Sequence, residues 1–183
     1  VNGCECEPLL TTDHRIMLEY ADDIIYGLKV IMKATDAEEG IIVIEDNKAD
    51  AIELLQSKAA NLDNIKVVSV KTKYPQGAEK MLVKRVLNRQ VPSGGLPLDV
   101  GALVSNVSTV KAISDVFQTG MPLVERVVSV TGERINRPGN YMVKVGTSVN
   151  EIIEYCGGIK GDDVTVKLGG PMMGTELDNL HVP

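Results

Sequence analysis

Carboxylates, amides and thiols crowd the start of this chain, in the run Val1-Asn2-Gly3-Cys4-Glu5-Cys6-Glu7-Pro8. Asn2, Glu5 and Glu7 can hydrogen-bond a polar ring system or a ribose, and Pro8 stops the segment continuing as a regular strand or helix. The same residue types also make an ordinary polar turn. Two later segments, Tyr74-Pro75-Gln76-Gly77-Ala78-Glu79-Lys80 and Ser105-Asn106-Val107, repeat the polar character where apolar runs end. Cys4 and Cys6 form Cys-x-Cys, too few ligands for an iron–sulfur cluster. A redox thiol pair there would require a lowered pKa. His14 and His181 lack metal-ligand spacing and read as solvent-facing or capping residues. No residue is singled out as catalytic and no metal site is expected.

These segments need elements to hold them. Thr11-Thr12-Asp13 supplies helix caps, and Ile16, Met17, Tyr20, Ala21, Ile24, Ile25, Leu28, Ile31 and Met32 follow at the spacing of one amphipathic helix. Ile41-Ile42-Val43-Ile44 is an apolar run of buried-strand type, with Asp46 or Asn47 placed to cap the helix through Ile52 and Leu55. Ile65 to Val70 reads as the next strand, and Ala78 to about Asn88 as a helix with Met81, Leu82, Val86 and Leu87 inward. Strand, helix, strand, helix implies a parallel sheet, whose carboxyl-end loops bind ligands. The loop at residues 74–77 lies at such an end. Val91-Pro92-Ser93-Gly94-Gly95-Leu96-Pro97 reads as a turn, Ala102-Leu103-Val104 as a short strand, and Val110, Ile113, Val116 and Phe117 as a helix stopping at Gly120. Beyond Pro122 the pattern becomes strand, strand, short helix, strand, which suggests a small β-grasp.

Composition narrows the classes. The chain has 183 residues, 44% hydrophobic and 24% charged, enough to bury a core as one or two domains. A net charge of −6, no Trp and a single Phe argue against nucleic acid and anionic lipid as partners. No run approaches the roughly 18 apolar residues of a membrane span. Three cysteines without a secretory signal favour a reducing, cytoplasmic setting. The start at Val1, inside a motif and without Met, reads as a piece cut from something longer.

Four motifs occur in order: Asn-Gly-x-Glu-Cys-Glu-Pro, Lys-Tyr-Pro-Gln-Gly-x-Glu-Lys, Val-Pro-Ser-Gly-Gly-Leu-Pro and Gly-Gly-Pro-Met-Met-Gly. With them the chain resembles the RnfC-like electron transport protein family of the Rnf complex. That family is itself related to the NADH- and FMN-binding flavoprotein subunit of respiratory complex I. The resemblance implies an α/β fold: a Rossmann-like three-layer domain over residues 1–122, then an α+β soluble-ligand-binding β-grasp (SLBB) domain over residues 123–183. It implies FMN and NAD(H) in the whole protein, with 4Fe-4S clusters outside this stretch. Asn2 and Glu5 would line the flavin, Asn106 would face ribityl or phosphate, and Tyr74 and Gly77 would let the backbone approach the ring. Glu79, with Glu7 as a second candidate, would stand near the nicotinamide nucleotide.

Each position also has a plain structural use: Asn106 as a helix cap, Tyr74 as a packed ring, Glu79 as a first-turn carboxylate. The family's glycine-rich phosphate segment would lie upstream and its cysteine clusters downstream of these residues. Cys4 departs from the family, which has a small residue or Asp there. The partners implied are other electron-transfer subunits or ferredoxin-like carriers. The parent would dock peripherally on a membrane complex, or be a soluble relative feeding a reductase. The fragment alone is expected to be inactive, and a third alternative is that it folds but binds nothing, because it lacks the phosphate segment. The rival class is a docking or ligand-binding module that has lost its flavin.

Overall fold

Three parallel strands lie at the centre of the first part of the chain, the two longer ones set by runs of β-branched residues. They are β1 (Asn2–Gly3), β2 (Gly40–Glu45) and β3 (Ile65–Val70), hydrogen-bonded in the order β1-β2-β3. The computed structural model describes every residue, Val1–Pro183. The chain divides into a first unit, Val1–Cys6 with Asp13–Met121, and a second, Glu7–Thr12 with Pro122–Pro183.

In the first unit, α1 (Thr12–Glu19) and α2 (Ala21–Thr35) connect β1 to β2, and α3 (Ala49–Ala59) connects β2 to β3. After β3 come α4 (Glu79–Leu87), a 3-10 turn (Pro97–Val100) and α5 (Val107–Thr119). Ile42, Val43 and Ile44 of the central strand are all buried, as expected for a parallel strand covered on both faces. Helix α2 crosses α5 at Gly27, where a Cβ would lie 2.1 Å from the Val110 carbonyl oxygen. Only glycine permits so close a backbone approach.

Several expectations from the sequence need correction. The single helix anticipated from Ile16 to Met32 is two helices, because Tyr20 leaves the helical region (φ −126°, ψ 34°). Hydrogen bonds from Tyr20 N–H to Ile16 O and from Ile24 N–H to Tyr20 O bridge the break, and the Lys111 ammonium sits 4.5 Å over the Tyr20 ring. The strand expected at residues 102–104 does not form. That stretch reaches the sheet only at its end, where Asn2 N–H donates to Ser105 O and Asn2 bridges Asn106 in parallel. Met81 faces out while Leu82 and Val83 face in. Neither Asp46 nor Asn47 caps α3, whose N-cap is Lys48. Asp46 instead accepts bonds from the Thr72 N–H (2.9 Å) and hydroxyl (2.6 Å), tying together the segments that leave β2 and β3.

The second unit is a small α+β structure. Strands β4 (Glu125–Val130) and β5 (Gly139–Lys144) pair antiparallel. Helix α6 (Val149–Tyr155) starts at a capping box formed by Ser148 and Glu151. Strands β6 (Lys167–Leu168) and β7 (Thr175–Glu176) form a two-residue ladder, shorter than the run Val164 to Leu168 suggested. Ile135, Ile153 and Cys156 form the core, with Tyr141, Val149 and Leu180 against it. Thr11 joins this unit, its N–H donating to Ser129 Oγ and its hydroxyl accepting from Asn140.

Candidate functional site

Three connections meet at the carboxyl end of the parallel sheet of the first unit: the segment after β1, the turn after β2 and the loop after β3. The N-terminus of α5 adjoins them, because Asn106 bridges Asn2. Each connection is short and polar, and each begins where the strand ladder runs out. In such sheets, this is where ligands bind.

The amide of Asn2 ties two of these segments together. Its Nδ2 donates to Gly77 O (2.8 Å) and its Oδ1 accepts from Cys4 N–H (3.0 Å). Gly77 has no room for a side chain, since a Cβ there would stand 2.6 Å from Cys4 O and 3.5 Å from Cys6 Sγ. Asn106 is the N-cap of α5, accepting from Ser108 N–H (2.8 Å) while its Nδ2 donates to Asp13 (2.8 Å). Ser108 Oγ donates to the other Asp13 oxygen (2.9 Å). Glu5 accepts from the N–H groups of Asp13 (2.9 Å) and His14 (3.3 Å) in the first turn of α1. Burial pushes the Glu5 pKa up, the two N–H groups oppose that, and the Asp13 charge adds to it.

Asn2, Glu5, Gly77 and Asn106 therefore come together, with Asp13 at their junction. Tyr74, in a cis peptide with Pro75, is partly exposed on the same loop, and Glu79 is exposed at the first position of α4. Helix α4 has Ala78 at its N-cap and no side-chain bond to its first N–H groups. Glu7 belongs to the second unit. There its carboxylate accepts from the N–H groups of Met172 and Met173, each at 3.0 Å, and holds the Gly-Gly-Pro-Met-Met-Gly turn.

Two residues take a larger part than the sequence signalled. Asp13 read only as a possible cap, yet it anchors Asn106 and Ser108. Glu45 gave no signal, because a carboxylate ending an apolar run is normally solvated. It is fully buried, and neither carboxyl oxygen has a hydrogen-bond partner. Burial raises its pKa. The nearby Lys73 N–H, which makes no hydrogen bond to it, and the Lys48 charge oppose the shift, while Asp46 reinforces it. Cys4 is buried beside Val43, Val70 and Leu82. Burial first, then the charges of Glu45 and Cys6, push its thiol up to about 12, so it stays protonated and a poor nucleophile.

Residues 1–115 match the Nuo51 FMN-binding domain family, and residues 127–176 match the SLBB domain family. Over all 183 residues the chain is 49% identical to a subunit of the proton-translocating ferredoxin:NAD(+) oxidoreductase complex of Clostridium ljungdahlii. It is 44% identical to the corresponding subunit of the Na(+)-translocating ferredoxin:NAD(+) oxidoreductase complex of Acetobacterium woodii. The chain spans 40% and 41% of the length of these two relatives. Among solved structures, NAD+-reducing [NiFe]-hydrogenase in the air-oxidized state superposes with a TM-score of 0.76 at 18% identity, over 95% of this chain and 35% of that one. At that identity the likeness speaks for the fold.

Proposed function

The chain belongs to the Nuo51 FMN-binding domain family, and from that premise we propose that it is the flavin-holding part of an electron-transfer subunit. That parent resembles a subunit of ion-translocating ferredoxin:NAD oxidoreductases. The observation that carries this reading is the meeting of Asn2, Gly77 and Asn106 at the carboxyl end of the sheet, with backbone packed where a Cβ at Gly77 would stand.

The residues fit an FMN. An amide nitrogen has two N–H donors. Asn2 and Asn106 each use one within the protein, which leaves one each for ribityl hydroxyls or ring carbonyls. Gly77 lets the loop after β3 lie directly against Cys4 of the first segment, which holds together the two segments a ring would meet. Tyr74 offers an exposed aromatic face beside it. Glu79 stands ready to accept from ribose hydroxyls of a nicotinamide nucleotide, next to the uncapped N–H groups of α4 that favour an anionic ligand. Glu7 is committed to its turn, so the nucleotide side falls to Glu79. Held by these residues, FMN would supply the exchange between two-electron hydride chemistry and one-electron transfer to carriers outside them. The side chains here bind, orient and exclude water, and none has to act as acid or base on substrate. No helix is long and apolar enough to cross a membrane. The parent would dock peripherally, on the cytoplasmic face.

One observation favours the rival docking module. Asn2, Glu5 and Asn106 all have protein partners that satisfy them. A flavin-fluorescence titration of the full-length parent and of this fragment separates the two readings. Quenching in the parent that weakens at least tenfold in Asn106→Asp supports the flavin site. That variant keeps an oxygen to cap α5 but loses the donating amide. A parent that leaves FMN fluorescence unchanged sinks the assignment and favours the docking module.

A further inference from the structure

We propose that Glu45 is the proton-holding group of this site, taking a proton from solvent when reducing equivalents add negative charge at the flavin and returning it when they leave. This rests on the flavin reading above. The strand ladder fixes where Glu45 stands. Ile44 pairs with Gly3 and Glu45 pairs with Val70, so the next residue of the first segment, Cys4, stands beside Glu45. Alternation along β2 puts Glu45 on the same face as Val43, which packs with Cys4, Val70 and Leu82. Glu45 thus lies behind the two segments that would contact the ring, the one after β1 and the loop after β3.

A carboxyl group in that place with neither oxygen hydrogen-bonded is unusual. Out of water and unpaired, its ionised form is held against a cost, so a further negative charge nearby tips it toward the acid. The charged and titratable groups facing it are few. Lys48 and Asp46 lie on its own connection, Lys73 contributes only its backbone N–H, and Cys4 stays a neutral thiol. A nearby negative charge would therefore act on Glu45 with little screening, because the medium between them is protein rather than water. The nicotinamide would give up a hydride and become NAD+. The hydride's proton and electron pair would both go to the flavin and leave one added negative charge there. Glu45 would pass from carboxylate to carboxylic acid with one further proton from solvent. Reoxidation reverses it. Glu45 touches no ring atom here and is a positioning residue for charge.

The test uses the full-length parent loaded with FMN. Loading is checked first by fluorescence, so failure to bind flavin, which brings down both readings, is seen separately. The flavin midpoint potential is then measured from weakly acid to weakly alkaline pH in wild type and Glu45→Gln. The expected result is a bend in the wild-type pH dependence that is lost in the variant. Alongside it, reduced-minus-oxidised infrared spectra should show a carboxylic-acid band in wild type that shifts with isotope-labelled glutamate and disappears in Glu45→Gln. Identical pH dependences overturn the proposal. If the variant does not fold, the labelled wild-type spectrum decides alone, and no glutamate band on reduction overturns it.

Discussion

At the residue scale, polar side chains that a flavin protein would use are already occupied by one another. Asn2 holds Gly77 O, Asn106 holds Asp13, and Glu5 holds the first turn of α1. This satisfies buried polar groups without a ligand and leaves the site formed in advance, which lowers the ordering cost of binding. Gly77→Ala should cost about 1–3 kcal/mol by forcing a methyl group onto Cys4 O; urea unfolding would show it as a lower midpoint at unchanged slope. Glu45 gives a pH-dependent prediction. A carboxyl whose folded pKa is raised leaves the folded state with more bound protons. Stability then falls as pH rises from the unfolded carboxyl range through the folded pKa. Glu5 and Glu45 both act in this direction. Glu45→Gln removes one of them, so the variant should match wild type at the acid end and become the more stable protein as pH rises. Thermal unfolding across pH checks it, and a variant less stable at alkaline pH contradicts it. In the second unit, Glu7→Gln weakens the acceptor for Met172 and Met173. Hydrogen exchange at those two amides should quicken severalfold while the β4–β5 ladder is unchanged.

At the element scale, the helices were legible because their apolar stripes have a clear period, and their ends carry recognisable chemistry. Gly120 in the left-handed region closes α5, and the Ser148 capping box opens α6. The break at Tyr20 was not legible, since no residue there forbids helix. The lost strand at residues 102–104 has a similar cause: apolar type alone does not say whether a neighbouring edge is long enough to pair with. The α2–α5 crossing depends on a contact invisible in sequence. Gly27→Ala drives a methyl group into Val110 O and should destabilise by roughly 1–3 kcal/mol or more, despite alanine's better helix propensity. Circular dichroism during heating would settle it, and a stabilised variant would mean the crossing is looser than described.

At the scale of the whole molecule, the chain spans 40% and 41% of the length of two of its relatives. On the proposed reading its candidate site would supply ring and ribityl contacts, and the phosphate-binding segment implied by the resemblance would lie outside these residues. The full-length parent should thus bind FMN more tightly than the fragment. A ligand at a hundred times its dissociation constant stabilises by about 2.7 kcal/mol. For a cooperative unit of about 150–250 residues that corresponds to a rise of roughly 5–11 °C in melting temperature, and to less in a longer unit. Scanning calorimetry with and without FMN should show a rise of that order in the parent and a smaller one, or none, in the fragment. Equal rises would place all the affinity within these residues.

What the sequence determined by itself is the class and the order: parallel α/β first, small α+β second, and polar segments at the strand ends. Period, turn residues and motif order are local properties, written along the chain. The tertiary structure decided which polar groups meet. Asp13 serves Asn106 across 93 residues of sequence, and Asn2 serves Gly77 across 75. Only a folded sheet could reveal that Glu45, a carboxyl residue at a strand end, is buried beside Cys4. Burial and partnership depend on what the rest of the chain packs over a residue, and no local pattern encodes that.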